Sequence, residues 1–249
     1  MIQEAEKNNL LEKEVRHMER IASKVGSVGL LIAFSASLLF AAMTPAQADD
    51  RADAQAIVDK AKITFESFMR DKNYTWLHEN LKNAKGLLIY PQILKAGFIL
   101  GGSGGTGVLV VRDPETKDWS QPAFYTLGSV TFGFQIGGEA AEVVMLLMSQ
   151  KAIDSLLATS VKLGGDASVA AGPYGAGEKA NVTADFISFA KSKGLYAGLN
   201  LEGSLIDVRE GLNKAYYGKN VRPLEIILEK KVSNNGSAAL REALKNAAN

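Results

Sequence analysis

Gly102, Gly104 and Gly107 form a G-x-G-x-x-G pattern directly after an apolar run, and the residues after Gly107 constrain the fold. A dinucleotide-binding turn must open a helix whose N-terminus holds the pyrophosphate. Here the chain continues Val108-Leu109-Val110-Val111, a β-branched run that reads as a strand. A kinase-type glycine loop does sit between strands, but it works with H-R-D and D-F-G segments, and the sequence contains neither. The G-x-x-x-x-G-K-[ST] loop is also absent. The remaining reading is geometric: glycine permits tight turning and close backbone approach in a curved antiparallel sheet. Gly128, Gly133, Gly137, Gly164, Gly198 and Gly203 repeat the theme along other strand-like runs.

The runs themselves support an antiparallel sheet. "GLLIYP" reads as a short strand stopped by Pro91, followed by "AGFILGG" and "GVLVVRD" as two more. Phe132, Phe134 and Ile136 alternate with small or polar residues, the period of two expected of a strand. "EVVMLLMS" reads as a buried strand, and "VKLGGDASVAAGPYGAG" as a strand ending in a Gly/Pro loop. "DFISFAKSKG" and "LYAGLNLEGSLIDV" read as a hairpin through Lys193-Gly194, with Leu195, Ala197, Leu199 and Leu201 on one face.

Helices flank and interrupt these strands. Over residues 50–70, Ala54, Ile57, Val58, Ala61, Phe65, Phe68 and Met69 recur at helical spacing. That stripe either packs on the core, the favoured reading, or faces a membrane. Tyr74 to Asn83 read as a second short helix, "QKAIDSLLAT", "REGLNKAYYG" and "PLEIILEK" as further helical pieces, and 237–248 as a C-terminal helix. The expected class is α+β: a curved, mostly antiparallel sheet, barrel- or sandwich-like, with N-terminal, inserted and C-terminal helices.

Upstream, residues 25–43 are apolar and uncharged, Arg20 and Lys24 precede them, and Ala46-x-Ala48 is a signal-peptidase pattern. Residues 1–48 are therefore expected to be a signal peptide, with Asp49 the first mature residue. Residues 1–17 look like an over-extended start, since Met18 opens a more ordinary signal peptide. The mature part, 49–249, is expected to be one domain, exported and periplasmic or peripherally membrane-associated. The alternative is an uncleaved membrane anchor.

Chemistry is sparse in what remains. The chain has no cysteine, which removes disulfides, thiolate nucleophiles and cysteine metal sites. Its histidines are His17 and His78, and cleavage would leave His78 alone in an amphipathic helical context. Classical triads and zinc sites need more. A carboxylate hydrolase using Asp166, Glu139 or Glu202 is conceivable, but no pair stands out. Neither an enzyme nor a cofactor or metal site is expected. A net charge of +1 gives no global field for nucleic acid. Lys60, Lys62, Arg70, Lys72, Lys82, Lys85 and Lys95 nevertheless outnumber the acids around them: Asp59, Glu66, Asp71 and Glu79.

"KGLLIYPQILKAGFILGGSGGTGVLVVRD", "LGSVTFGFQIGGEAAEVVMLLM", "LGGDASVAAGPYG" and "SKGLYAGLNLEGSLIDV", with "AYYG" after them, resemble the successive motifs of the SYLF family of lipid-binding domains, in order over about residues 52–229. The resemblance implies a domain that binds anionic phospholipids through its N-terminal part. In eukaryotic members the lipids are phosphoinositides and the domain is coupled to the actin machinery. It also implies no established active site. With an export signal, the expected function is a non-enzymatic phospholipid- or membrane-binding module of the bacterial cell envelope. The residues carried into that expectation are Lys60, Lys62, Phe65, Phe68, Met69, Arg70, Lys72, Lys82, Lys85 and Lys95, with anionic phospholipid or an envelope protein as partner. The alternative is a structural or protein-interaction domain that does not touch lipid.

Overall fold

The structure is a computed structural model that describes residues 50–97, 100–132, 137–158, 160–175, 181–192 and 201–248. All described residues fall in one compact unit, 49–249. The apolar run 25–43 and the cleavage residues Ala46, Ala48 and Asp49 lie outside the described residues.

Helix α1 spans Asp50–Arg70. Asp50 and Asp53 stand in its first turn and Arg70 in its last, the arrangement a helix dipole favours. It ends where Asp71 turns extended and its carboxylate accepts the Asn73 backbone N–H, starting a 3-10 turn over Lys72–Tyr74. The short helix α2 (Thr75–Asn80) and a second 3-10 turn lead into the sheet.

Among the described residues the sheet has eight strands: β1 (Gly86–Gly97), β2 (Leu100–Val111), β3 (Ala123–Phe132), β4 (Gly137–Leu147), β5 (Val161–Lys162), β6 (Val169–Ala171), β7 (Phe186–Ser192) and β8 (Leu205–Val208). Their order is β5-β8-β3-β2-β1-β4-β7-β6, and only the β6–β7 pair is parallel. The sheet curls into an open half-barrel, so the α+β expectation holds. Helix α3 (Gln150–Ala158) comes after β4; α4 (Glu210–Tyr217), α5 (Pro223–Ile227) and α6 (Ala238–Ala248) come after β8.

Both faces of the sheet are covered over the half nearest Gly86 and Leu147. On one face Leu87, Ile89, Val108, Val110, Phe124, Val144 and Leu146 meet α1, α2, α4 and α6. On the other, Leu88, Tyr90, Leu109, Tyr125, Val143 and Met145 meet α3 and α5. This two-sided burial explains why β1 and β4 read as continuous apolar runs rather than as alternating ones.

Two expectations about strands need correction. Pro91 does not stop its strand. β1 runs through it, and the register slips between Ile89 and Ile93 against β2 and between Tyr90 and Ile93 against β4. A bulge leaves a residue out of the ladder, which is where a proline without an N–H fits. Second, the end of the run read as the return strand of a hairpin, β8, does not pair with β7. β7 pairs with β4, and β8 pairs with β3 at the other side of the sheet. Residues 193–200 between them lie outside the described residues, as do Leu195, Ala197 and Leu199.

The bulge accounts for the glycines. A Cβ on Gly107 would lie 2.2 Å from the Ile89 carbonyl oxygen and 2.7 Å from Cδ1 of Tyr90. One on Gly105 would lie 2.2 Å from the Gln92 carbonyl oxygen. The bulged β1 backbone is pressed against β2, and only glycine fits there. Gly102 and Gly104 are not crowded in this way: their added Cβ atoms would meet only a carbonyl of β3, at 3.4 and 3.5 Å. The G-x-G-x-x-G pattern thus lies within one strand, and close approach is required at Gly105 and Gly107.

Candidate functional site

The apolar stripe of α1 packs on the core, the favoured reading of its spacing. Phe65 and Phe68 are 1% and 0% exposed, and Met69 is half-buried against the same cluster. The Phe68 ring lies 4.7 Å from that of Tyr74, itself within 6.0 Å of Phe189. In this arrangement neither ring can reach a bilayer unless α1 leaves the sheet.

Lys191 fixes the end of α1, and sequence reasoning did not single it out. Its Nζ donates to the Ser67 carbonyl and hydroxyl oxygens at 3.2 and 3.1 Å and pairs with Asp71 at 3.1 Å. The same ammonium lies 5.0 Å from the Phe68 ring centre and 5.4 Å from that of Tyr74. The backbone N–H of Asn73, then the Lys191 ammonium, hold the Asp71 carboxyl below its ordinary range, against a smaller opposing effect of burial. A lysine within an otherwise apolar strand, "FISFAKS", was the available signal.

The basic residues of the N-terminal part do not form one cluster. Lys60 and Lys72 are exposed and make no ion pair among the described residues. Lys62 pairs with Glu66 at 2.7 Å, and Arg70 approaches the same carboxylate at 3.8 Å. Lys82 and Lys85 precede β1, where Lys85 backbone groups bond to Leu147 and Arg112. Lys95 lies near the other end of β1, in register with Ser103 and Glu139. At the strand rise, ten residues separate Lys85 from Lys95 by roughly 30 Å. The remaining basic residues lie on and just after α1: Lys60 and Lys62 on opposite flanks of its exposed face, Arg70 and Lys72 at and beyond its end.

That surface carries one aliphatic group the stripe analysis passed over: Ile63, which lies off the buried stripe and is 58% exposed. Its position between Lys60 and Arg70 was visible in the helical spacing.

The other chemical candidates are structurally occupied. A ring nitrogen of His78 lies 3.0 Å from the Phe68 carbonyl oxygen. Asp166 accepts the Lys162 backbone N–H in a turn. Glu202 packs over Gly164, whose added Cβ would lie 2.7 Å from its Cγ. The side chain of Glu139 lies outside the described residues. Among the described residues there is no group of three or more side chains able to hold a metal ion, and no helix long and apolar enough to cross a membrane. An open polar depression of about 340 Å³ is lined by Arg51, Tyr216, Tyr217, Gly218 and Ser233–Asn235, including part of the "AYYG" motif.

Fold and surface together define a glycine-rich antiparallel half-barrel that offers faces for binding. The model of the Ysc84 family, described as Las17-binding protein actin regulator, matches residues 128–247. Human SH3 domain-containing YSC84-like protein 1 is 35% identical over 152 residues, 59% of this chain and 44% of its own. SH3 domain-containing protein PJ696.02 of Schizosaccharomyces pombe is 42% identical over 144 residues, 55% of this chain and 33% of its own. LAS seventeen-binding protein 3 of Saccharomyces cerevisiae is 40% identical over 149 residues, 56% of this chain and 32% of its own. The chain is thus similar to the Ysc84, or SYLF, family over residues 128–247 and to these relatives over 55–59% of its length. The chain spans less than half the length of these relatives. Their names describe binding and regulation rather than a reaction. No solved structure matches significantly.

Proposed function

We propose that this chain is a non-enzymatic, anionic-phospholipid-binding module of the bacterial cell envelope, exported and cleaved after Ala48. The observation that carries this reading is the exposed edge of α1 and the turn after it. There Lys60 and Lys72 are exposed without an ion pair among the described residues, beside exposed Arg70 and Ile63. A lysine or arginine near an anionic surface contributes about 1 kcal/mol, so a few such residues give reversible, salt-sensitive docking. Phe65 and Phe68 take no direct part while α1 stays packed. Their role is to hold α1 so that the basic edge faces outward.

The test is a Lys60→Glu, Lys72→Glu double variant on vesicles rich in phosphatidylglycerol at low salt. Binding should fall at least tenfold with the melting temperature unchanged; wild-type affinity in the folded variant would remove this edge from the mechanism. N-terminal sequencing of envelope-extracted protein should read Asp49-Asp50-Arg51, and a start before residue 25 would refute processing.

A second reading is favoured by the relatives' names, which record a protein partner, Las17. In that reading the same faces bind an envelope protein, and vesicles of every composition leave the protein in solution.

A further inference from the structure

The sheet outruns the helices that cover it. On the α1 side, the covered part ends at Glu142, whose carboxylate accepts the Thr64 hydroxyl of α1 at 3.3 Å. Beyond it the same face continues. Ala140, Leu94, Gly104 and Gly128 lie in one row across β4, β1, β2 and β3, and Gly102 and Val130 are paired in the next row. Leu94 is 57% exposed and Val130 68%. Among the described residues no layer lies over this row: a Cβ on Gly128 would meet nothing within 4 Å, and on Gly102 or Gly104 only the neighbouring strand's own backbone. The opposite face at this level is polar, with Lys95 and Ser103 in register and the Ser103 and Ser129 hydroxyls 2.7 Å apart. The uncovered end of the sheet is amphipathic.

We propose that this bare end of the sheet is the apolar contact with an anionic bilayer, the role the sequence had suggested for Phe65 and Phe68. The inference rests on the lipid-binding reading and names the surface that reading lacks. Three observations select a bilayer as the occupant. Among the described residues the row is made of Ala140, Leu94, Gly104 and Gly128, so it presents no ridge for a shaped protein partner. Leu94 and Val130 together expose on the order of 200 Å² of apolar surface, below the ~300–600 Å² of an ordinary monomer's largest patch. A stable protein interface buries about 800 Å² per partner. Finally, the Thr64–Glu142 contact joins the face to the flank of α1 that bears Lys60, one turn before Thr64, so a cation stands beside the aliphatic groups. Headgroup attraction and shallow apolar contact then act together, as in other interfacial binders.

The chain's lack of cysteine makes the test site-specific. A Val130→Cys variant labelled with an environment-sensitive fluorophore is compared with Leu228→Cys, exposed just after α5, which packs on the other sheet face. With phosphatidylglycerol vesicles the label at 130 should brighten several-fold, shift to the blue and become shielded from an aqueous quencher, while the label at 228 stays unchanged. A Leu94→Ser, Val130→Ser double variant with wild-type melting temperature should lose at least tenfold in vesicle partitioning. If the wild-type chain binds these vesicles while the label is silent and the double variant binds normally, the sheet face is wrong and the basic-edge reading stands. If the wild-type chain binds no vesicle, both fall together. Loss of a dimer in the double variant, with vesicle binding intact, would assign the face to self-association and overturn the proposal. If the double variant does not fold, the label at 130 alone decides.

Discussion

Replacing Gly107 by alanine adds one methyl group at a point where β1 leaves no room for it. The new Cβ would lie 2.2 Å from the Ile89 carbonyl oxygen, 2.7 Å from the Tyr90 ring and 2.9 Å from the Ile89 carbonyl carbon. Two of these three atoms are backbone, so relief requires β1 or β2 to move by about 1 Å inside a close-packed region. Overpacking of this kind costs about 1–3 kcal/mol. Gly128→Ala is the matched control on the adjacent strand. Its Cβ would meet nothing within 4 Å, and Gly128 is not among the left-handed glycines. There, reduced freedom of the unfolded chain should stabilise the protein by about 0.4–1 kcal/mol. A domain of this size shifts by about 2–4 °C per kcal/mol. Thermal unfolding of the two variants should therefore place Gly107→Ala several degrees below wild type and Gly128→Ala at or slightly above it. ATP or NAD should leave all three transitions where they are. Equal melting temperatures for the two variants, or a saturable rise with nucleotide, would refute the geometric account of the glycines.

The packing and charge of the same structure set other expectations. Phe68→Ala should cost about 3–5 kcal/mol in urea unfolding, the range for a fully buried ring, and an unchanged midpoint would refute its placement in the core. Asp185 accepts from the Ser149 hydroxyl and from the Ser168 N–H and hydroxyl, with Lys151 nearby, and these hold its carboxyl below the ordinary value. A depressed folded value means its contribution is complete above about pH 4, the unfolded value, and is lost as pH falls through the lower folded one. Asp185→Asn should therefore be less stable than wild type at pH 7, with the gap closing below pH 4. A gap that is constant with pH would contradict the ionic role.

The parts of the fold that were legible in the sequence are those set locally. The stripe of α1, the C-terminal helix and the apolar runs of β1, β2 and β4 each carry their own periodicity or propensity. The misread parts depend on partners distant in the chain. The run up to Val208 read as one return strand, yet its end, β8, is separated from β7 by four other strands because β4 and β3 offer them their ladders. Pro91 is an ordinary strand stop unless a bulge takes it, and that bulge is accommodated by Gly105 and Gly107 of the neighbouring strand. The same limit applies to the surface. Lys85 and Lys95 are near in sequence but lie toward opposite ends of β1. Leu94 and Val130, 36 positions apart, lie on one face because β2 stands between them.

The most direct test of the central claim is the wild-type chain on vesicles whose phosphatidylglycerol content is raised in steps, measured at 0.1 M and 1 M salt. Screening shortens the reach of charge from about 10 Å to about 3 Å between these conditions. The account predicts negligible binding to neutral vesicles, a steep rise with anionic lipid at 0.1 M, and a weakened but measurable remainder at 1 M from the apolar contact. Protein that stays in solution at every composition and both salt concentrations would contradict it.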